Sequence, residues 1–516
     1  MFSVIFRHEL QQLGKSRPTI ALFFLLVAAF VFAAWNGERA VEKHVRGTQL
    51  VIDQQAAKKQ SWLDDLILYE DYVAEQGIPM QIAPPAYRPA PYGKPALGTN
   101  AGTVGEKVED VAVLPPNGLS AFSVGQLDLQ RGYSLINMKS KFFISDNYEI
   151  ENPVNLSTGT FDISFVVLFL LPIFILALTY DLLSGEREAG TLALIQTQRV
   201  SMRVLMAAKI CARASIFVAV ILFSGLIAFA YGATGTIGFG FADSAMRLVL
   251  WFAAVLVYSF FWFALGVRVN MFRKSSEANA TILSCAWLSL VIIVPTLVSL
   301  VATSLYPAPS RMMLKVSQRA AFAEAEANLD ETKRKFYIEH AEMVPDEDLE
   351  EYTLSFVARQ EAMDIAVEPV YKRFEQQKEK QEKLVDTFQY ASPAIVVQLA
   401  LNDISGTSSS RFSVYLQQVY AYHAERKDYF LPKYINRQIM TSDMFSEFPE
   451  FKYVQEDISE LIYRVTFPLF LLLVSTLLIY PRRISVVQGD ASRDLYGAND
   501  AIAGLGKQKA ENIQEQ

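Results

Sequence analysis

The chain has 516 residues, 52% of them hydrophobic, with a net charge of −7 and a mean hydropathy of +0.20. Because the apolar residues form a few long runs, composition excludes an ordinary soluble multidomain protein, and nothing in the charge indicates a nucleic-acid partner. The two cysteines, Cys211 and Cys285, lie in or beside apolar runs, so we expect small buried side chains and no disulfide framework.

The chain begins with an amphipathic segment, FSVIFRHELQQLG. Its apolar residues recur at spacings of three and four, which predicts a helix lying in the cytoplasmic membrane interface within residues 1–17. Pro18 marks the turn into the first apolar run. His8 and Glu9 are followed by no second histidine at the zinc-protease spacing, which excludes that site.

Six apolar runs are long enough to cross a bilayer, which needs roughly 17–25 residues per helix. The predicted transmembrane helices are 18–35, 161–180, 205–231, 248–267, 280–303 and 461–480. Arg464 interrupts the last run, and we expect its charge to reach the interface. The first run is longer than the 7–15 residues of a typical signal-peptide core, which favours a retained helix. The predicted fold is an all-α polytopic membrane protein with six transmembrane helices.

Lys and Arg gather on one side of the short connections, and the positive-inside rule therefore places both termini in the cytoplasm. The cytoplasmic parts are then 1–17, the loop 181–204 and the tail 481–516, whose last residues have a disordered composition. The two long insertions, 36–160 and 304–460, are predicted to be extracytoplasmic.

The first insertion should continue the first helix through Trp62 and Leu66, and then become a proline-rich loop, IAPPAYRPAPYGKPALG. LPPNGLSAFSVGQLDL, from Leu114, predicts a more ordered piece near the membrane. The second insertion is predicted to be mainly α-helical, with helices in 319–343 and 371–390 and interruptions at Pro345 and Pro369. The tract RFEQQKEKQEK, 373–383, is typical of a solvated helix face, with partner binding as the alternative.

The sequence has no GxxxxGK[ST] phosphate loop, no GxSxG elbow and no zinc-ligand spacing, so we expect no ATPase, hydrolase or metal site in this chain. His340, between Glu339 and Glu342, is expected to lie on a polar helix surface. Charged residues near the apolar runs are Asp162, Asp181, Lys209 and Arg213. Such charges either mark a transport pathway or anchor helix ends at the interface, and their positions favour anchoring. Lys209 and Arg213 are four residues apart and share one helix face.

Between the second and third runs lies a charged segment, YDLLSGEREAGTLALIQTQR, in which we predict a helix over 186–197. The whole stretch 161–209 resembles the second span, coupling region and third span of ABC transporter permeases of the ABC-2 type. The pattern is an acidic residue, then Glu-x-Gly-Thr-Leu, then a loop with arginine. The pattern appears here as Glu186, Glu188, Gly190, Thr191, Leu192, Arg199 and Arg203. The resemblance implies that the residues coupling the chain to an ATPase are Asp181, Glu186, Arg187, Glu188, Gly190, Thr191, Leu192 and Arg199. Gln198 stands where the family usually has proline.

The amphipathic N-terminal helix is similar to the family's elbow helix, and the insertions resemble a subgroup with large extracytoplasmic insertions. The resemblance implies a permease dimer, with an identical or paralogous second permease, in the bacterial inner membrane. Two copies of a separate ABC ATPase subunit would use ATP and Mg and drive export through the 186–198 helix. This chain would bind no cofactor itself, and its outer domain would cap the exit or dock a periplasmic partner.

Two other functions remain open at this point. One is a membrane-anchored scaffold or receptor whose outer helices bind a partner, and the other is an intramembrane enzyme, for which no catalytic set is recognisable. The substrate stays open among lipid, peptide, polysaccharide, small drug and metal-linked cargo.

Overall fold

A computed structural model of the protein describes residues 1–75, 77, 99–125, 127, 131–142, 160–198, 201–232, 241–307, 311–339, 351–436 and 438–480. The proline-rich loop, Arg199, His340, Pro345 and the C-terminal tail lie outside the described residues. Six helices in the described part are long and apolar enough to cross a membrane, which confirms the predicted polytopic all-α class.

The N-terminal helix α1 covers Phe2–Lys15, and α2 covers Arg17–Glu75 without a break. At 1.5 Å per residue, the 59 residues of α2 extend about 90 Å, so the helix leaves the bundle and supports the first insertion. The helical continuation past Trp62 and Leu66 is as predicted. We call the end of the bundle that carries the two insertions the insertion side, and the opposite end the terminal side.

The second apolar run forms α4, which begins at Ile163–Phe165, continues as a π-helical stretch Val166–Leu170 and ends with Leu171–Thr179. A similar π-helical stretch, Leu288–Ile293, interrupts α9, between Ser276–Trp287 and Val294–Leu305. Each π stretch is followed closely by a proline, Pro172 or Pro295. Proline cannot donate an N–H to the preceding turn, and widening that turn accommodates its ring.

Two short helices follow α4: α5, Ser184–Glu188, and α6, Thr191–Thr197. The remaining long apolar helices are α7, Met202–Gly232, α8, Phe241–Asn270, and α16, Ile458–Ile479. The main core lies among these helices, with Trp251, Trp262 and Phe217 completely buried. Both cysteines are exposed on the bundle surface, so the expectation that they are buried is wrong.

The insertions fold together. The first supplies α3, Ala101–Lys107, and strands β1, Asp110–Val113, and β2, Tyr133–Ile136, which pair antiparallel with Asp110 opposite Ile136. The second supplies helices α10 to α15: Arg311–Ala327, Leu329–Glu339, Glu351–Phe388, Pro393–Ser405, Ser409–Ile435 and Ser442–Ser446. The two-stranded sheet is an exception to the predicted helical content.

Contacts between the insertions are specific. The carboxylate of Glu70 in α2 accepts hydrogen bonds from the backbone N–H (2.8 Å) and hydroxyl (2.6 Å) of Ser442. Buried Tyr415 of α14 donates to the carbonyl of Ala112 in β1 at 2.9 Å. Pro369 lies inside α12, and the predicted interruption there is wrong. The two insertions therefore form one packed body rather than two independent linkers.

Candidate functional site

The charged segment between α4 and α7 is two short helices, not the single helix predicted over 186–197. The break lies at Gly190, whose backbone is left-handed with φ 72°. A side chain there would be strained, because L-residues other than Asn and Asp rarely adopt this conformation. Apart from its two chain neighbours, no described residue has an atom within 4 Å of a Cβ built at Gly190, so a substitution there is limited by the backbone conformation and not by space.

A buried polar cluster fixes the segment to three helix ends. Asn270, at the end of α8, donates to the carbonyl of Thr179 at 2.7 Å and accepts from the backbone N–H of Leu183 at 3.2 Å. Asn279, in the first turns of α9, donates to the carbonyl of Tyr180 at 3.1 Å. Amides satisfy both donors and acceptors of an irregular turn, which would otherwise be costly to bury.

Glu188 caps the N-terminus of α9, although it is not part of that helix. Its carboxylate accepts from the backbone N–H of Ser276 at 2.7 Å and from the Ser276 hydroxyl at 2.9 Å. The first N–H groups of a helix have no partner within the helix, and a carboxylate there also interacts favourably with the helix dipole. Arg187 donates to the carbonyl of Lys274 in the same turn. Both side chains therefore bind this chain, and both remain exposed at the surface of the segment.

Glu186 and Lys209 connect the segment to α7. Nζ of Lys209 lies 2.7 Å from Oε1 of Glu186, and the hydroxyl of Thr191 donates to the other carboxylate oxygen. Thr191 also donates to the backbone carbonyl of Glu186 at 3.1 Å. These bonds hold α5 against α6 across the turn at Gly190.

The same network reaches α1, which packs along α7. Glu9, only 3% exposed, lies 2.7 Å from Nη2 of Arg213 and 3.9 Å from Nζ of Lys209. Arg213 also lies 3.2 Å from Asp181 and donates to the carbonyl of Leu178. Buried charges are tolerated only when they are paired and hydrogen-bonded, and each of these cations has two carboxylate neighbours.

Lys209 and Arg213, which were predicted to anchor helix ends at the interface, are buried in the network. Asp162, on the insertion side, is buried as well. Its carboxylate caps α4 through the N–H of Phe165 and accepts from the N–H of Val124, both at 2.8 Å.

Sequence reasoning missed Glu9, Asn270 and Asn279. A signal for Glu9 was present, because it lies four residues after Ile5 and four before Leu13, on the apolar face of α1. A carboxylate on that face requires a buried cation, and Lys209 and Arg213 are the cations that share one face of α7.

The exposed side chains of α6 include an apolar one. Leu194 is 67% exposed, whereas Thr191 and Leu192 are half-buried. The segment thus has an anchored polar side and one projecting leucine. Such an arrangement can receive a force at α6 and pass it to the ends of α1, α4, α7 and α9.

In the described part of the chain, no group of three or more His, Cys, Asp or Glu side chains could hold a metal ion.

Residues 311–454 match a family described as "Domain of unknown function (DUF3526)". The match covers most of the second insertion and does not include the network around Glu186. A search of the curated proteins finds no match.

Proposed function

We propose that this chain is the membrane permease subunit of an ATP-driven ABC transporter of the ABC-2 type, and that it exports its substrate. The proposal is supported by six apolar helices, by the resemblance of 161–209 to that family and by the absence of a phosphate loop from the sequence. In this function the chain itself is not an enzyme, and ATP and Mg are bound by two copies of a separate ATPase subunit.

The observation that carries the proposal is the anchored segment formed by α5 and α6. Ion pairs and hydrogen bonds tie Glu186 to α7 and Glu188 to α9, while Leu194 projects outward. A docking element needs this combination, because a flexible loop would absorb a displacement instead of transmitting it. Closure of the ATPase subunits would then move four helix ends together.

The topology belongs to the same proposal. The terminal side of the bundle faces the cytoplasm of a bacterial cell, the membrane is the inner membrane, and α1 is the elbow helix of the permease. The insertion side faces outward, and its packed body caps the exit or docks a periplasmic partner. A second permease, identical or paralogous, completes the pathway.

The test first identifies an ABC ATPase that co-purifies with the wild-type chain. The full chain carrying Leu194→Asp is then co-expressed with that ATPase, and the binding between them is measured. Because Leu194 is exposed, the variant should fold, whereas a charge placed in an apolar interface should weaken ATPase binding at least tenfold. Leu50→Asp is the matched control, since Leu50 is 62% exposed on α2 at the opposite side of the bundle. Equal ATPase binding by both variants would contradict the docking assignment. If no ATPase co-purifies with the wild-type chain, the scaffold or receptor alternative is favoured.

A further inference from the structure

On the insertion side, a helical hairpin enters the bundle beside α9. It consists of the end of α12, the turn at Gln389–Ala391 and α13. Gln381 donates to the carbonyl of Tyr306 at 2.5 Å, just beyond the end of α9, and Ser392 donates to the carbonyl of Leu290 in its π-helical stretch. Leu290 lies 16 residues before Tyr306, or about 24 Å along a helix, so the hairpin runs along about half the length of α9. Its turn has no buried residue and lies on the surface of the bundle.

The hairpin leaves a cavity of about 630 Å³ against α9 and α16. This volume lies within the usual range of pockets for small ligands, roughly 300–1,000 Å³. The lining combines apolar side chains, such as Val396, Leu399 and Phe467, with carboxylates and hydroxyls. The cavity lining is therefore amphipathic.

Negative side chains outnumber positive ones in the lining of the cavity. Glu382, Asp386 and Asp403 line it together with Lys378 and Arg464, an excess of one negative charge. Lys378 lies 3.8 Å from Glu382, and Arg464 lies 3.4 Å from Asp403 and 2.8 Å from Glu456 outside the cavity lining. Among the described residues, this leaves the carboxylate of Asp386 without an ion-pair partner.

Two aromatic rings line the same cavity as Asp386. Tyr463 and Phe467 are stacked with ring centroids 6.1 Å apart, and both rings are exposed on α16 at the cavity. Ring faces attract organic cations, most strongly where water is partly excluded. An anionic ligand is disfavoured, because both lining cations already have carboxylate partners.

We propose that this cavity binds an amphiphile with a cationic amine head group, which pairs with Asp386 while its apolar tail lies against Leu399 and Phe467. The site is distinct from the charge network around Glu186, and ligand binding to it does not require the proposed transport function. We do not propose a metal ion as the ligand, because no group of metal-binding side chains occurs among the described residues.

The test measures binding of dodecyltrimethylammonium to the full chain in phosphatidylcholine nanodiscs, by titration calorimetry, with dodecyl maltoside as the uncharged comparison. We expect saturable binding of the cation, weakened at least tenfold in Asp386→Asn. Leu399→Trp, which fills the tail region, should weaken binding as well. Asp53→Asn is the matched control, because Asp53 is an exposed carboxylate on α2.

Equal affinity for the charged and uncharged amphiphiles, or unchanged cation affinity in Asp386→Asn, would overturn the proposal and leave only apolar partitioning. Absence of saturable binding to the wild-type chain would also overturn it.

Discussion

Glu9 and Arg213 are 204 residues apart in the sequence, yet their side chains form a buried ion pair with atoms 2.7 Å apart. The pair joins the N-terminal helix to α7, and Arg213 passes the connection on to Asp181 at 3.2 Å. The amphipathic helix α1 is thus locked to the charged segment by electrostatics as well as by its apolar face. Movement of one should require movement of the other.

Replacing Glu9 with Gln should destabilise the protein by about 3–5 kcal/mol, because it leaves buried cations undercompensated. The midpoint of thermal unfolding in detergent micelles measures the effect. Glu42→Gln is the control, since Glu42 forms an exposed pair with Arg46 and should change stability little. In a double-mutant cycle, Glu9→Gln combined with Arg213→Gln should cost less than the sum of the two single variants. Simple additivity would show that the pair is not a unit.

Substitutions at Gly190 should be limited by the left-handed backbone conformation that the new residue must adopt, rather than by the space available for its side chain. Placing an L-residue in the left-handed region costs about 1–2 kcal/mol, and a β-branched side chain is the least suited to it. We expect Gly190→Val to distort the turn between α5 and α6 and weaken ATPase binding, while Gly190→Asn is affected less.

Gly185→Ala provides the control for Gly190, because Gly185 lies within α5 and a Cβ there would be 3.6 Å from Cβ of Asp181, an ordinary contact. Expression and unfolding midpoint should stay near wild type in all three variants. A Val variant that binds the ATPase as tightly as the Ala control would argue against a role for the turn.

The proposed orientation can be read from cysteine accessibility in intact cells. A membrane-impermeant maleimide should label Lys43→Cys and Lys380→Cys, on the insertion side, but not Lys15→Cys or Lys274→Cys until the cells are permeabilised. All four lysines are exposed, so side-chain burial does not confuse the result. Labelling of position 274 before permeabilisation would contradict the proposed orientation and indicate the opposite one. Lys94, a further site predicted to face outward, lies outside the described residues.

The membrane helices could be predicted because hydropathy over about 20 residues is a local property of the sequence. α13 could not be recognised in the same way, since 13 residues are too few to cross a bilayer and its place beside α8 and α16 depends on tertiary packing. The segment 373–383 has the composition of a solvated face, yet Lys378, Gln381 and Glu382 line the cavity. Composition reports polarity but not what the polar side faces.

The charged segment shows a similar limit. Its location between α4 and α7 followed from the sequence, and its residue types indicated polar contacts. The partners of Glu186 and Glu188 did not follow, because Lys209 and Ser276 are distant in the chain and meet them only when the helices pack. Glu186 and Glu188 therefore form connections within this chain, and the exposed Leu194 is a further candidate for a docking contact.

A buried histidine in the insertions should make their folding sensitive to pH. Nε2 of His423 lies 2.6 Å from the carbonyl oxygen of Lys139, so the neutral ring must donate its Nε2 proton to that oxygen. Burial lowers the pKa of His423 from 6.5 to about 4; the hydrogen bond to Lys139 opposes this, and the nearby cations Lys427, Lys141 and Arg426 add to it.

The folded state therefore binds fewer protons than the unfolded state between pH 4 and 6.5, and stability rises with pH across that window. The contribution of His423 is complete above pH 6.5 and is lost as the pH falls to 4, a change of about 3 kcal/mol. Asp364, whose pKa is raised chiefly by burial, acts in the opposite direction, because the folded state takes up its proton first.

His423→Gln should remove much of this pH dependence, since glutamine can donate to a carbonyl but does not titrate. The measurement is the rate of proteolysis within 311–454 in the full chain, compared at pH 7 and pH 5. Wild-type protein should be cleaved faster at pH 5, and the variant should show a smaller difference. His8→Gln, at an exposed histidine of α1, should behave as wild type. If His423→Gln keeps the full wild-type difference, another group controls the acid sensitivity of the insertions.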